Sequence, residues 1–354
     1  MRRALALARL GWGRVHPNPQ VGAVVVRDGR VVGEGYHEEY GGAHAEVVAL
    51  RAAGEAARGA TLFVTLEPCT HHGRTPPCTE AIMAAGIAEV IYAAEDPNPR
   101  AGRGSEQLRD AGVRVHGGVE RDAARELNAA FYHVHERGPP YVALKLAVSL
   151  DGRIAGRPGA RTTLTGREAT REVHRLRSGF DAILVGRGTA AADDPLLTVR
   201  EVPIRQQPIR IVVDSGARLD VASRLVRTAA EAPVWVLAAA DADPERVHRL
   251  AAHGVRVIQA EARPAGIDLP GGLRALAAAG ARTIFAEGGS RIASALIDAD
   301  LVQRLFLFVA PVFLGSAGVP AFDVATQPSP CWRFIREQRF GDDVLITADR
   351  TTER

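Results

Sequence analysis

The stretch EPCTHHGRTPPC, Glu67 to Cys78, places two cysteines and two histidines within twelve residues of a chain that has three cysteines in all. Upstream, the tripeptide HAE supplies His44 and Glu46. Thiolates and imidazoles are preferred ligands of zinc, and a site with three protein ligands leaves the fourth tetrahedral position to water, the arrangement of catalytic zinc. His44, Cys69 and Cys78 form such a set, whereas a structural site calls for a fourth protein ligand. Zinc acidifies the water it holds, so a carboxylate beside it can collect the proton and deliver it to a leaving group. Glu46, two residues from His44 on the first turn of a helix, suits that task without being a ligand.

H-x-E followed by P-C and a second Cys has the order of the zinc-dependent base deaminases, in which the leaving group is an amine. The interval differs: THHGRTPP, eight residues, stands between the thiols where the short form has two. Ligation survives if this segment loops out and returns, which Gly73 and the pair Pro76-Pro77 allow. A loop so near a metal meets substrate. His71, His72 and Arg74 are therefore candidate contacts for a polar or anionic group rather than ligands, because two thiolates and His44 already complete the set.

These residues need a scaffold, and 354 residues suit two domains. With 46% hydrophobic and 24% charged residues the composition is that of a globular protein, and no apolar run is long enough to span a bilayer. The start, MRRALALARLGWGRVHP, is basic, but Arg9 interrupts its apolar stretch and no small-residue cleavage site follows. It reads as an amphipathic first helix in a cytoplasmic protein. An odd number of cysteines without a secretory signal argues against a disulfide framework, and the third, Cys331, reads as a buried small apolar residue. A net charge of +3 and 5% aromatics supply neither the basic tract nor the aromatic-lined groove of a nucleic-acid enzyme. The expected partner is a small-molecule substrate, with neither nucleic acid nor membrane, and the expected assembly is a homo-oligomer.

VGAVVVR and RVVGEGYH flank Asp28-Gly29, the dipeptide of two-residue hairpin turns. A helix around HAEVVALRAAGEAAR and a buried strand TLFVTLE follow, with Pro68 and Cys69 at the start of the next helical region, near TEAIMAAG. The strand EVIYAAE, a helix containing SEQLRDAG, the strand VRVHG and one helix ERDAARELNAAFYHVH complete this half. ERGPP then punctuates the chain, giving domains over 1–138 and 141–354. A hairpin followed by alternating helices and strands is an α/β layer sandwich.

The second half alternates again, from YVALKLAVSLDGRIAG through DAILVG, PIRIVVD, APVWVLAAA, VRVIQA and RTIFAE to RLFLFVAP. Gly186, Gly188 and Ala191 make a G-x-G-x-x-A after a strand, but Asp193-Asp194-Pro195 ends the next helix at once. No βαβ crossover fits before PIRIVVD, which speaks against a standard dinucleotide fold. TIFAEGGSRIASALI is a better phosphate site: a strand, Gly288-Gly289, then a helix whose free N–H groups face an anion. Of 44 basic residues, 43 are Arg and one is Lys145, inside an apolar strand. A compact ammonium where guanidinium is otherwise universal suggests a place in a site, with an ion pair to Asp151 or Glu287 as the alternative.

HPNPQVGAVVV, GAHAEVVAL and VTLEPCTHHGRTPPC, with DPNPRAGRG, resemble the deaminase half of the bifunctional pyrimidine deaminase/reductase of riboflavin biosynthesis. LKLAVSLDGRIAG, LRSGFDAILVGRGTAAADDPLLTVR, VVDS and FAEGGSRIASALI resemble its reductase half, while 218–280 and the C-terminal tail add little. The resemblance implies a cytidine-deaminase-like three-layer sandwich followed by a dihydrofolate-reductase-like α/β domain. It implies zinc and NADPH as cofactors, hydrolysis of the 2-amino group of a ribosylamino-pyrimidinone 5′-phosphate, then reduction of the ribose to ribityl. The long insert between the cysteines becomes a substrate loop carrying His71 and Arg74, and Asn18 falls where the ring is hydrogen-bonded. Ala147, Thr163, Thr189, Asp193 and Ser215 fall at cofactor positions, with Gly289, Ser290, Arg291, Ile292, Ala293, Ser294 and Ala295. Arg161, Arg177, Leu197, Arg200 and Glu287 fall at substrate positions, Lys145 falls in the reductase site, and Arg177 and Arg200 suit a phosphate. Arg161 and Thr163 depart from the family's usual serine and aromatic residue.

Overall fold

Asp28 and Gly29 both take positive φ, 49° and 74°, as a two-residue hairpin turn demands. The hairpin they close opens the first sheet of the computed structural model, which describes residues 1–264, 266–323 and 331–351. The chain divides into two units, Met1–Gly138 and Pro139–Arg354.

In the first unit α1 (Arg2–Ala8) precedes the hairpin strands β1 (Gly22–Arg27) and β2 (Arg30–Tyr36), then α2 (Ala45–Ala53) and β3 (Thr61–Leu66). After these come α3 (Cys78–Ala84), β4 (Glu89–Ala94), α4 (Gly104–Asp110) and β5 (Arg114–His116). The sheet order is β2-β1-β3-β4-β5. β1 is antiparallel to both its neighbours, and β3, β4 and β5 run parallel. α2 lies so close to β2 that a Cβ on Gly35 would stand 2.6 Å from the Ala49 nitrogen. A glycine there lets the helix that begins beside His44 press onto the sheet. Leu62, Val64, Ile82, Val90 and Leu108 fill the core beneath it.

The helices of this unit depart from the sequence expectation at two places. Pro68 and Cys69 open no helix; they lie in the loop after β3, and α3 starts at Cys78. The single helix before the boundary is two, α5 (Arg121–Leu127) and α6 (Ala129–Glu136). They break at Asn128, whose amide accepts from Gln20 N at 2.8 Å and donates to Gln20 O at 2.9 Å. That distant partner outweighs a continuous helix.

The second unit opens with β6 (Tyr141–Ser149), β7 (Arg153–Ala155), α7 (Arg167–Arg177), β8 (Ala182–Gly186), α8 (Arg187–Asp193) and β9 (Ile209–Val213). It continues with α9 (Arg224–Arg227), β10 (Val234–Ala239), α10 (Pro244–Ala252), β11 (Arg256–Ala260), the short pair β12 (Ala262–Arg263) and β13 (Gly266–Ile267), and α11 (Leu269–Ala278). β14 (Thr283–Ala286), α12 (Ser290–Asp298), β15 (Arg304–Ala310), β16 (Val319–Pro320), β17 (Cys331–Phe340) and β18 (Asp343–Thr351) follow. Nine strands form one sheet in the order β11-β10-β9-β8-β14-β6-β15-β18-β17. From β11 to β15 all neighbours are parallel; β18 and β17 are antiparallel.

β8 and β9 are parallel neighbours, so a crossover does fit between DAILVG and PIRIVVD. It uses the seven-residue α8 and an extended return, because Asp194 leaves the helix with φ 38°. The final hairpin of β17 and β18 went unread, since β17 is an edge strand whose side chains are mostly exposed and charged. Cys331, expected to be buried, is half-buried at the start of that edge. Among the described residues no helix is long and apolar enough to cross a membrane.

Candidate active sites

His44 stands at the N-cap of α2 in extended conformation, which puts Glu46 in the helix's first turn. Cys78 is the first residue of α3, and the Cys69 carbonyl accepts from Thr79 N at 3.3 Å, folding the intervening loop back on itself. Gly104 lets α4 close on this loop: a Cβ there would lie 1.7 Å from the Pro68 carbonyl oxygen. The ligand atoms of His44, Cys69 and Cys78 all lie within 4.8 Å of one another. Nδ1 of His44 is 3.2 Å from Cys78 Sγ and 3.5 Å from Cys69 Sγ. Tetrahedral zinc, with bonds of about 2.3 Å to sulfur and 2.0–2.1 Å to nitrogen, needs an N···S edge near ~3.6 Å, so the donor set fits the ion. The far nitrogen of His44, Nε2, lies 3.4 Å from Thr75 Oγ1 in the loop.

Burial pushes the Glu46 carboxyl up to about 7, against the pull of His44. The Cys78 thiol, hydrogen-bonded to Cys69, holds the latter's pKa well below the usual thiol range, so one thiolate is ready to bind metal. Asn18 reaches this site through His37. Nδ1 of His37 donates to Ala43 O at 3.0 Å, leaving Nε2 to accept from the Asn18 amide at 3.1 Å. The His37 ring meets His44 edge-on, centroids 5.4 Å apart. In the loop, the Arg74 guanidinium stacks 4.8 Å over Tyr40, His71 is half-buried, and His72 is exposed with Glu80 at 3.8 Å.

In the second unit a cavity of about 1070 Å³ gathers the expected reductase residues. Lys145, Ala147, Arg161, Arg177, Thr189, Asp193, Leu197, Arg200, Ser215 and Glu287 line it, as do Gly289, Ser290, Arg291, Ile292 and Ala295. Thr163, Ala293 and Ser294 do not. Ala293 is wholly buried in the apolar core, and the Ser294 hydroxyl accepts from Asp323 N at 2.9 Å. Thr189 Oγ1 accepts from Gly289 N at 3.1 Å, fixing the turn before α12.

Arg177 and Glu287 form a fork-to-fork pair at 2.5 and 2.9 Å, and Nη1 of Arg177 donates to Thr198 O at 3.0 Å. Burial works to raise the Glu287 carboxyl, but Arg177 and Lys145 overcome it and leave it below the ordinary value. Burial lowers the Lys145 ammonium, with Glu287 opposing. Its Nζ lies 5.7 Å from the Phe308 ring centroid. Asp151 is no partner for it, since that carboxylate accepts from Ser149 Oγ, Leu314 N and Gly315 N. Among the polar wall residues that no sequence motif marks are Arg224, at the start of α9, and His174, on α7. Each is one polar residue in an arginine-rich stretch.

A thiolate–imidazole metal site with a buried carboxylate in one unit, and an arginine-lined cavity on a largely parallel sheet in the other, are the two centres of a bifunctional enzyme, a zinc hydrolase joined to an oxidoreductase. The family described as the cytidine and deoxycytidylate deaminase zinc-binding region matches residues 1–94, and the RibD C-terminal domain matches 140–346. Riboflavin biosynthesis protein RibD of Aquifex aeolicus is 43% identical over 98% of this chain and 96% of its own. That of Escherichia coli is 41% identical over 98% and 97%. The solved structure of Acinetobacter baumannii RibD, form 1, is similar with a TM-score of 0.85 at 35% identity, covering 99% of this chain and 98% of its own. The chain belongs to the RibD family of riboflavin biosynthesis: it is a deaminase and reductase whose cofactors are zinc and NADPH.

Proposed function

We propose that His44, Cys69, Cys78 and Glu46 carry the deamination and that the cavity of the second unit carries the reduction. The substrate on this reading is 2,5-diamino-6-ribosylamino-4(3H)-pyrimidinone 5′-phosphate, which loses its 2-amino group before its ribosyl becomes ribityl. The observation that carries the reading is the convergence of three zinc-type donor atoms on one point beside a fully buried glutamate.

When bound, zinc supplies a Lewis acid that makes water acidic enough to attack at neutral pH. Glu46, its acidity tuned by burial to about 7, takes up that proton and returns it to the departing amine. Asn18, its amide oriented by His37, holds the pyrimidine edge, and the loop with His71 and Arg74 covers the ring. In the second unit NADPH supplies the hydride. The N-terminus of α12 and the Gly288-Gly289 turn hold a cofactor phosphate, Arg200 holds the substrate phosphate, and Lys145 contacts the sugar near the carbon reduced. The protein works in the cytoplasm as a homo-oligomer.

Supplying the purified protein with the pyrimidine ribotide, with and without NADPH, and identifying products by mass tests the reading. Deaminated ribosyl product without NADPH and ribityl product with it are expected. An unchanged ribotide under both conditions refutes it.

A further inference from the structure

α7 brings His174 into the wall of the reductase cavity, where the residue is only 3% exposed. The backbone N–H of Arg200 donates to its Nδ1 at 3.2 Å. A ring nitrogen that accepts carries no proton, so the neutral imidazole holds its proton on Nε2. That nitrogen lies 3.4 Å from Nη2 of Arg200. Both are donors and cannot bond to each other. An oxygen acceptor seated beside both nitrogens takes a hydrogen bond from each, and next to a guanidinium an anionic oxygen is favoured.

The second guanidinium nearby is already committed. Arg177 spends Nε and Nη2 on Glu287 and Nη1 on Thr198 O. Arg200 is anchored differently, by Nη1 on Thr198 Oγ1 at 2.8 Å, which leaves its Nη2 edge beside His174. The charges that act on the imidazole are Arg177 and Arg200 of one sign and Glu287 and Glu201 of the other. A neutral donor in this company adds a directed hydrogen bond without adding repulsion between cations. A doubly protonated ring would forfeit the bond that seats the Arg200 backbone.

We propose that His174, fixed as the Nε2–H tautomer, is a specificity residue of the reductase: it seats Arg200 through the backbone and shares with its guanidinium one oxygen of the substrate's phosphate. The proposal rests on the reading that this phosphate lies at Arg200. It separates two jobs on one ring, acceptor toward the protein and donor toward the ligand.

The test is steady-state reduction by the full-length protein of the deaminated ribotide and of its dephosphorylated counterpart. His174→Asn keeps an acceptor where Nδ1 stood but removes the outer donor. KM for the phosphorylated compound should rise about tenfold, the cost of losing a hydrogen bond to a charged group, with kcat little changed and the dephosphorylated compound unaffected. Arg200→Met should abolish the preference for the phosphorylated compound. If Arg200→Met loses that preference and His174→Asn keeps it, His174 has no such role and the phosphate placement stands. If Arg200→Met keeps it, the placement itself is wrong and the proposal falls with it. Should His174→Asn fail to fold, imidazole ¹⁵N spectra of the wild-type protein decide. An Nε2–H resonance that shifts on addition of inorganic phosphate supports the proposal, and an Nδ1–H tautomer overturns it.

Discussion

Replacing Lys145 by methionine separates chemistry from structure in the second unit. The residue sits in β6 between Leu144 and Leu146, 0% and 3% exposed, and methionine matches its stem in length and polarity. Glu287 keeps the two-point grip of Arg177, so losing the ammonium orphans no carboxylate. Burial lowers the ammonium's own pKa, which marks the charge as a cost to the fold. The stability change should stay within about 1 kcal/mol, or ~2–4 °C in Tm for a unit of this size. If the ammonium touches the reacting sugar, its loss removes a charged hydrogen bond of about 1.5–3 kcal/mol, so kcat/KM for NADPH-dependent reduction should fall roughly 10- to 150-fold. Deamination, measured on the same sample, should not change. Lys145→Arg should not rescue reduction, because the planar fork is larger and places its charge elsewhere. Normal reduction by both variants would mean that the single lysine has no catalytic contact. Unfolding of both would make it a structural charge.

Glu46→Gln should retain stoichiometric zinc by metal analysis while deamination drops by about 10²–10⁴, the usual worth of a positioned acid–base group; loss of the metal would make Glu46 a ligand. Cys78→Ser should deplete zinc, a hydroxyl being a poor partner for it, and full zinc in that variant would move the third ligand to His71 or His72. Burial, then Arg177 and Arg200, hold His174 at a pKa of about 4 in the folded protein. The unfolded chain binds that proton near ~6.5, holds more protons in between, and so stability should climb with pH across this window; Tm against pH should be flatter in His174→Gln. Arg210, 0% exposed in β9, donates to Leu196 O, Thr228 Oγ1, Thr228 O and Ala232 O. Arg210→Met strands these acceptors at about 1–3 kcal/mol each when buried, and urea denaturation should show a clear loss of stability; an unchanged midpoint would show that water replaces the guanidinium.

Legibility in the sequence followed the range of the interaction. The hairpin at Asp28-Gly29 was readable because a turn depends on two adjacent residues. His44, Cys69 and Cys78 were readable because thiols are rare in this chain and their chemistry is specific. The break at Asn128 was not, since its cause, Gln20, lies 108 residues away. The Arg177–Glu287 fork spans 110 residues, and nothing local distinguishes Arg177 from its many fellows. Of the run 289–295 that the resemblance places at the cofactor, helical periodicity turns Ala293 and Ser294 away from the cavity, a distinction no run of consecutive residues carries. β17 was missed because an edge strand lacks the one-sided apolar alternation by which strands are read.

The contact between Thr75 and His44 ties the loop between the cysteines to a metal ligand. With Nδ1 turned to the metal position, the ring's proton sits on Nε2, and the Thr75 hydroxyl 3.4 Å away is placed to receive it as a hydrogen bond. Opening the loop withdraws that brace and lets the imidazole swing on its own bonds. Zinc stripping by a chelator should then report on the loop: a bound pyrimidine should slow the loss, and an unchanged rate would show that the loop does not brace the ring.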